Sequence, residues 1–377
     1  MGSDPSKPTI LIVEDEAGPR DALKIILRPF YNLHAVDNAQ GALRVLNEER
    51  VDLVTLDLKL PDRQGMELLQ DIRQERHDVE VIIITGYGSL KSAMDGIRFG
   101  AAAYLLKPFN VSELIKLINQ TVEKKQRLDC LRQFLLKSES LWASEQEAAK
   151  AWTALRELYG KLTHQRPGQE AQPGDYSELA PLLSDLLEAK DRELFNHSSR
   201  VSFYATLLSK HLNLSTSEKK ALALGSFLHD IGMTAMDSRV FSKLQKASDE
   251  DLHQLKRHPE IGARIVLPLQ LPAEVGQIIS YHHECYDGSG YPYGLQGEGL
   301  PLLARIVCIA QAFDTLTTDR SGSAPLSIEE ASEHMRRDAG TRYDPRLVDL
   351  FVRVIGECKG SLPAITTPFR KTPLPES

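Results

Sequence analysis

This chain has no cysteine pair at CxxC spacing, no long apolar run and no excess of positive charge, and each absence narrows what it can be. Its four cysteines, Cys130, Cys285, Cys308 and Cys358, stand apart in the sequence. Such usage fits a reducing, cytoplasmic setting. No stretch approaches the ~18 consecutive apolar residues of a membrane span. Residues 1–8 lack the apolar core of a secretory signal. Lys and Arg number 45 against 52 Asp and Glu, a net charge of -7, which argues against direct DNA binding. The 377 residues are 42% hydrophobic, enough for two cored domains.

Residues 8–125 alternate strand and helix patterns. Apolar runs at Thr9–Val13, Val51–Leu58, Val79–Thr85 and Ala102–Leu106 are separated by helical patterns at Gly18–Leu27, Gln40–Glu48, Met66–Gln74 and Lys91–Phe99. That order predicts an α/β, doubly wound parallel sheet with helices on both faces. From residue 111 to 162 the pattern is helical. Leu128, Leu131, Leu135, Trp142, Ala149, Trp152, Leu155, Tyr159 and Leu162 fall near a heptad seam. The seam fits either a dimer coiled coil or a face packed on a domain, so residues 126–184 are expected to be a helical linker. Residues 165–174 hold two Pro and two Gly among polar residues and read as a break. Residues 185–358 carry helical patterns, among them Leu194–Leu212, Ser217–Leu228, Val275–His283 and Ala304–Leu316. The tail, 359–377, is expected to be loose.

In the first domain, acids end two strands: Glu14 and Asp15 one, Asp57 another. Lys107-Pro108 ends a third, and Thr85 ends a fourth. Three converging carboxylates call for a divalent cation, and oxygen ligands suit Mg²⁺. Lys107 would neutralise an oxyanion on Asp57, and Thr85 would offer it a hydroxyl. Together these are the parts needed for phosphoryl transfer to a carboxylate. Taken with Tyr104, this set resembles the flavodoxin-like receiver domain of two-component response regulators, which implies a five-stranded parallel sheet. The resemblance implies that Asp57 is phosphorylated by a sensor histidine kinase. It also implies that Mg²⁺ is held by Glu14, Asp15, Asp57 and the Lys59 carbonyl, and that Thr85 and Tyr104, with Lys107, form the switch.

The second domain is rich in imidazole. His282-His283-Glu284 runs into Asp287-Gly288-Ser289-Gly290-Tyr291-Pro292. Upstream lie Glu193 and His197 on one helix face, then His229-Asp230, then His258-Pro259. Ligands from separate helical segments suit a bundle whose core holds metal, and a carboxylate bridging two metals suits phosphodiester cleavage. His253 and His334 carry no partner pattern and are expected at the surface.

These motifs resemble the HD-GYP family of metal-dependent phosphohydrolases, an all-α, HD-type fold. The resemblance implies two or three Fe or Mn ions. Their ligands would be His197, His229, Asp230 (also the catalytic carboxylate), His258, His282 and His283, with Glu193 serving a third metal. The family's last ligand position falls at Gln311. Met233 replaces a family Lys, and Ser323 stands near a position usually basic. Each change removes charge from the centre. Arg305 and Arg320 are candidates for the substrate phosphates, and Tyr286 and Tyr291 for its bases.

A receiver followed by such a domain is expected to hydrolyse cyclic di-GMP to pGpG or GMP under control of Asp57. The alternative is a catalytically degraded domain that binds the dinucleotide, or binds a partner such as a diguanylate cyclase through the GYP loop. A third reading is hydrolysis of another nucleotide. A homodimer through the linker helix is also expected.

Overall fold

The structure, a computed structural model, describes residues 7–75, 78–136, 141–163, 176, 179–236, 248–318 and 324–358. Two compact units divide the chain, Met1–Arg127 and Leu128–Ser377.

The first unit is built on five parallel strands: β1 (Thr9–Val13), β2 (Asn32–Val36), β3 (Leu53–Leu56), β4 (Glu80–Thr85) and β5 (Ala103–Leu106). They lie in the order β2-β1-β3-β4-β5. Between them run α1 (Ala17–Leu27), α2 (Ala39–Glu48), α3 (Gly65–Glu75) and α4 (Leu90–Arg98), and α5 (Val111–Leu136) follows. Successive strand residues point to opposite faces. Leu11, Val13, Val54, Leu56, Val81 and Ile83 therefore pack with Leu46, Leu68 and Ile72 of α2 and α3. Ile10, Ile12, Leu53, Ile82 and Ile84 pack with Leu23, Leu27, Leu114 and Ile118 of α1 and α5. Because both faces are covered, the inner strands β1, β3 and β4 are buried and mostly apolar. The edge strands differ: β2, NLHAV, is half-buried along its whole length, and β5 ends in an exposed Leu106. The winding brings the carboxyl ends of β1, β3, β4 and β5 to one rim, where such sheets form their sites.

The second unit is helical among the described residues. Its helices are α6 (Glu145–Thr163), α7 (Leu179–Lys190), α8 (Arg192–Ser209), α9 (Thr216–Leu228), α10 (Asp249–Leu255), α11 (His258–Val266), α12 (Ala273–Tyr281), α13 (Leu302–Thr317), α14 (Ile328–Arg337) and α15 (Pro345–Glu357). Tyr204, Phe313 and Phe351 meet edge-to-face at its centre.

The heptad seam resolves in favour of packing within the chain. Leu128, Leu131, Leu135, Trp142, Trp152, Leu155 and Tyr159 all join the core of the second unit. Trp152 donates its indole N–H to the Ile265 carbonyl at 2.6 Å, and Tyr159 donates to Asp185 at 2.9 Å. Each bond places a polar aromatic edge inside the domain, where it must find a partner. Ala148 and Ala151 are buried, while Ala149 of the expected seam faces solvent. The stripe is thus already covered within the chain, which is the second of the two alternatives, a face packed on a domain. Most of the expected linker belongs to the second unit. Residues 165–174 and the tail 359–377 lie outside the described residues.

Candidate metal centre

At the rim of the first unit, Asp57 is the hub. Its Oδ1 accepts from the Thr85 hydroxyl at 2.8 Å and from the Lys59 backbone N–H at 3.1 Å. Its Oδ2 accepts from Lys107 Nζ at 2.6 Å, and the same ammonium donates to Glu14 at 2.5 Å. Burial alone would lower the Lys107 pKa, but the hydrogen bonds to Asp57 and Glu14 outweigh it and raise it. The Glu14 carboxyl is pushed up by burial, against the pull of Lys107. Glu14, Asp15 and Asp57 each offer an oxygen within 4.8 Å of the others. Glu14 Oε1 is buried without a hydrogen-bond partner. A buried carboxylate oxygen in that state is costly, and a Mg²⁺ ion in the cluster would satisfy it. These residues fit the ion. Tyr104 lies apart from Asp57, with its hydroxyl 3.0 Å from Ser92 of α4.

In the second unit, the described side chains converge on Asp230. Asp230 follows α9 and opens a 3-10 turn, Ile231–Ala235, that packs on α11. The contact depends on Gly232, where a Cβ would lie 1.9 Å from the His258 carbonyl oxygen and 2.8 Å from Gly262 N. Only glycine lets the two backbones approach so closely.

Four histidines surround Asp230. His229 Nδ1 lies 2.8 Å from the Ser226 carbonyl, His258 Nδ1 2.7 Å from Leu255 and His282 Nδ1 2.8 Å from Ile279. A carbonyl can only accept, so each Nδ1 carries the proton and each Nε2 keeps a lone pair when neutral. His197 Nδ1 is 2.7 Å from the Asp314 carboxylate, which imposes the same tautomer. The Nε2 atoms then face one another in pairs, His197 to His229 at 3.2 Å and His258 to His282 at 3.0 Å. Two lone pairs at that distance repel unless a cation lies between them. Asp230 spans both pairs. Its Oδ2 is 3.6 Å from His197 Nε2 and 3.3 Å from His229 Nε2, and its Oδ1 is 3.2 Å from His258 Nε2 and 3.5 Å from His282 Nε2. His283 completes the second group. The donor set fits two divalent metals bridged by one carboxylate.

Electrostatics favour the ligand forms. Burial lowers the His282 pKa to about 4, assisted by His229 and His258 and opposed by Asp230. Burial likewise drives His283 well below the usual imidazole range. Burial would raise Asp230, but the neighbouring histidines outweigh it and hold the carboxyl well below its ordinary value. A neutral His282 and His283 beside an ionised Asp230 are forms that metal ligation requires.

Behind His197, Asp314 and Arg200 form a support that the sequence reading did not assign. Arg200 Nε and Nη2 donate to the two Asp314 oxygens at 2.5 and 3.1 Å. Asp314 is fully buried, and its carboxyl is held at about 2: burial opposes the shift, and the His197 and Arg200 hydrogen bonds override it. A carboxylate behind a metal-binding imidazole fixes its tautomer and orientation. One signal was visible in the sequence, since Asp314 lies one residue short of a full turn beyond Gln311 on the same helix.

Several expected site residues stand elsewhere. Glu193, expected at a third metal, has a side chain 53% exposed and pairs with Arg200 at 2.9 Å, outside both clusters. Gln311 lines the cavity over Asp230, but its amide nitrogen donates to the His282 carbonyl at 2.9 Å. Arg305, expected at a substrate phosphate, is bound by Asp344 at 2.6 Å. The Tyr286 backbone is tied to Arg342 and Gly297, and the residue is not in the cavity lining. Tyr291 does line it and stacks on His283 with ring centroids 4.8 Å apart. His334, expected at the surface, has a 38% exposed side chain and also borders the cavity, and His253 is exposed as expected. Arg320 and Ser323 lie outside the described residues.

The loop that carries Tyr291 is organised by Glu284. This buried carboxylate accepts from the backbone N–H groups of Tyr293, Gly294 and Leu295 at 2.7, 3.2 and 3.1 Å. Gly290 is needed in the same loop, because a Cβ there would lie 2.2 Å from Cys285 N. Loop and metal centre enclose a cavity of about 350 Å³, within the range of small-ligand sites.

Comparison with known proteins agrees with this geometry. The response regulator receiver domain family matches residues 10–119, and the HD domain family matches residues 181–347. The chain is 29% identical over 352 residues to the cyclic di-GMP phosphodiesterase response regulator RpfG of Xanthomonas campestris pv. campestris, covering 91% of this chain and 87% of that one. It is 27% identical over 354 residues to a cyclic di-GMP phosphodiesterase of Thermotoga maritima, covering 92% and 90%. A 3'3'-cGAMP-specific phosphodiesterase 2 of Vibrio cholerae serotype O1 is 33% identical over 177 residues, 46% of this chain and 34% of that one. The chain thus joins a response regulator receiver domain, at residues 10–119, to an HD domain, at residues 181–347.

Proposed function

We propose that the HD domain hydrolyses a phosphodiester bond of cyclic di-GMP, giving pGpG or GMP, and that phosphorylation of Asp57 by a sensor histidine kinase controls it. One observation carries the reading: two pairs of imidazole lone pairs share one bridging carboxylate, Asp230. Metals held there, with Fe or Mn the favoured choice, would supply a water of lowered pKa and a Lewis acid for the phosphoryl oxygen. The protein's own part is to hold the ligands in their neutral tautomers, keep Asp230 ionised and shelter the reacting phosphate under the Glu284 loop. Tyr291 offers an aromatic face beside His283 for a base. At the receiver, Lys107 and Thr85 already touch the acceptor carboxylate and would hold phosphoryl oxygens there.

A second reading rests on Met233 and Gln311. Both line the cavity, and neither brings the charge that the family pattern has there. On that reading the domain binds the dinucleotide without turning it over.

The test is to incubate the purified full chain with Mn²⁺ or Fe²⁺ and cyclic di-GMP and to follow pGpG and GMP. Slow product formation that disappears in Asp230→Asn supports hydrolysis. Tight binding with no product leaves the binding reading, and neither binding nor product overturns both.

A further inference from the structure

Among the described residues that line the cavity, Arg342 is the one lysine or arginine. Of the other basic candidates that the structure describes, Arg305 is neutralised by Asp344, position 233 is an apolar Met, and Lys256 stands over the Tyr291 ring, 5.5 Å from its centroid, without joining the lining. Arg342 sits in the turn between α14 and α15, where its N–H donates to the Asp338 carbonyl at 3.0 Å. Gly340 takes the left-handed conformation that shapes this turn. The turn is bonded to the Glu284 loop: Tyr286 N donates to the Arg342 carbonyl at 3.1 Å and Asp287 N to the Thr341 carbonyl at 2.8 Å. The backbone that carries this cation is therefore tied to the Glu284 loop. Its guanidinium faces Cys285 and Asp338, and the Asp338 carboxylate is 3.9 Å away. The side chain is 61% exposed, so that pair binds it only weakly.

A cyclic dinucleotide carries two phosphodiesters. Only one can lie on the metal centre at a time, so the other anion needs a place in the same cavity. We propose that Arg342 binds this second, non-scissile phosphate with its planar guanidinium fork. The inference rests on the cyclic dinucleotide reading given above and assigns a specificity-determining contact within it.

The test measures cyclic di-GMP affinity by calorimetry on the Mn²⁺-loaded full chain for wild type, Arg342→Gln and Arg342→Lys. Metal content and melting temperature are recorded for each. Arg342→Gln is expected to weaken binding about ten- to a hundredfold, the loss of a hydrogen-bonded charge. Metal content should be unchanged. Affinity within twofold of wild type overturns the proposal. Should Arg342→Gln melt early, Arg342→Lys decides, because it keeps the charge without the fork. A several-fold loss there supports the contact, and unchanged affinity refutes it. A wild-type chain that binds no cyclic di-GMP fails the underlying reading itself, and this inference falls with it.

Discussion

Replacing Asp314 by Leu separates the fold from the metal site. Asp314 has no exposed surface, and it holds both the His197 ring and the Arg200 guanidinium. In Asp314→Leu, Arg200 stays 8% exposed with only the half-exposed Glu193 as ion-pair partner. Breaking a buried ion pair by removing one partner costs about 3–5 kcal/mol. For a domain of this size that lowers the melting temperature by about 6–20 °C. His197 loses the carboxylate that fixes its tautomer, so metal affinity should fall about 10–100-fold. The double variant Arg200→Met/Asp314→Leu removes both charges and should recover most of the stability, because apolar replacement of a buried pair is often neutral. It should not recover metal affinity. Thermal melts of the metal-free protein and Mn²⁺ titrations against a competing chelator read the two effects separately. Unchanged metal affinity in the single variant, or affinity restored in the double, would refute the positioning role of Asp314. The acid limb follows from the same geometry. The Asp314 pKa is depressed to about 2 on folding, so its stabilising contribution is complete above pH ~4, the unfolded value, and is lost as pH falls from there toward 2.

Other consequences can be checked independently. Gly232→Ala puts a methyl 1.9 Å from the His258 carbonyl; overpacking of this kind costs about 1–3 kcal/mol, and bound metal measured by mass spectrometry should drop below wild type. Gln311→Asp restores an anion to the cavity and is expected to raise both Mn²⁺ affinity and the rate of pGpG formation; no change in either would mean that the side chain stays on the His282 carbonyl. Acetyl phosphate should label the wild-type receiver but not Asp57→Ala, and labelling of both would remove the phosphoacceptor assignment. In the metal-free protein, His282 has a folded pKa of about 4, below the ordinary imidazole value, so the unfolded chain binds more protons between these limits. Denaturant melts should therefore show stability complete above pH ~6.5 and falling toward pH 4.

The sequence exposed the first domain almost strand by strand, because strands buried on both faces must be apolar and their acids mark the rim. The resemblance implied a fifth strand, but β2 had no legible range for the same reason reversed: at the sheet edge it needs no apolar run, and NLHAV has none. The cluster of His197, His229, Asp230, His258, His282 and His283 was legible because adjacent and motif-spaced imidazoles point to metal binding. Their support was not. Asp314 and Arg200 are 114 residues apart in sequence, and nothing local to either announces the bond. The fate of the heptad seam was equally undetermined, since an apolar stripe has the same spacing whether it meets a second chain or its own domain. Glu193 and Arg305, expected in the site by motif position, stand in ion pairs outside the imidazole cluster. Each is a charged residue near a site, and each found an opposite charge nearer, in Arg200 and Asp344.

The account stands on two cations sharing Asp230. Anomalous diffraction from crystals grown with Mn²⁺ under low oxygen measures this directly. It should show two peaks about 3.5–4 Å apart, one between His197 and His229 and one between His258 and His282, both in contact with the Asp230 carboxylate. A single peak away from Asp230, or no peak among these histidines at saturating Mn²⁺, would contradict it.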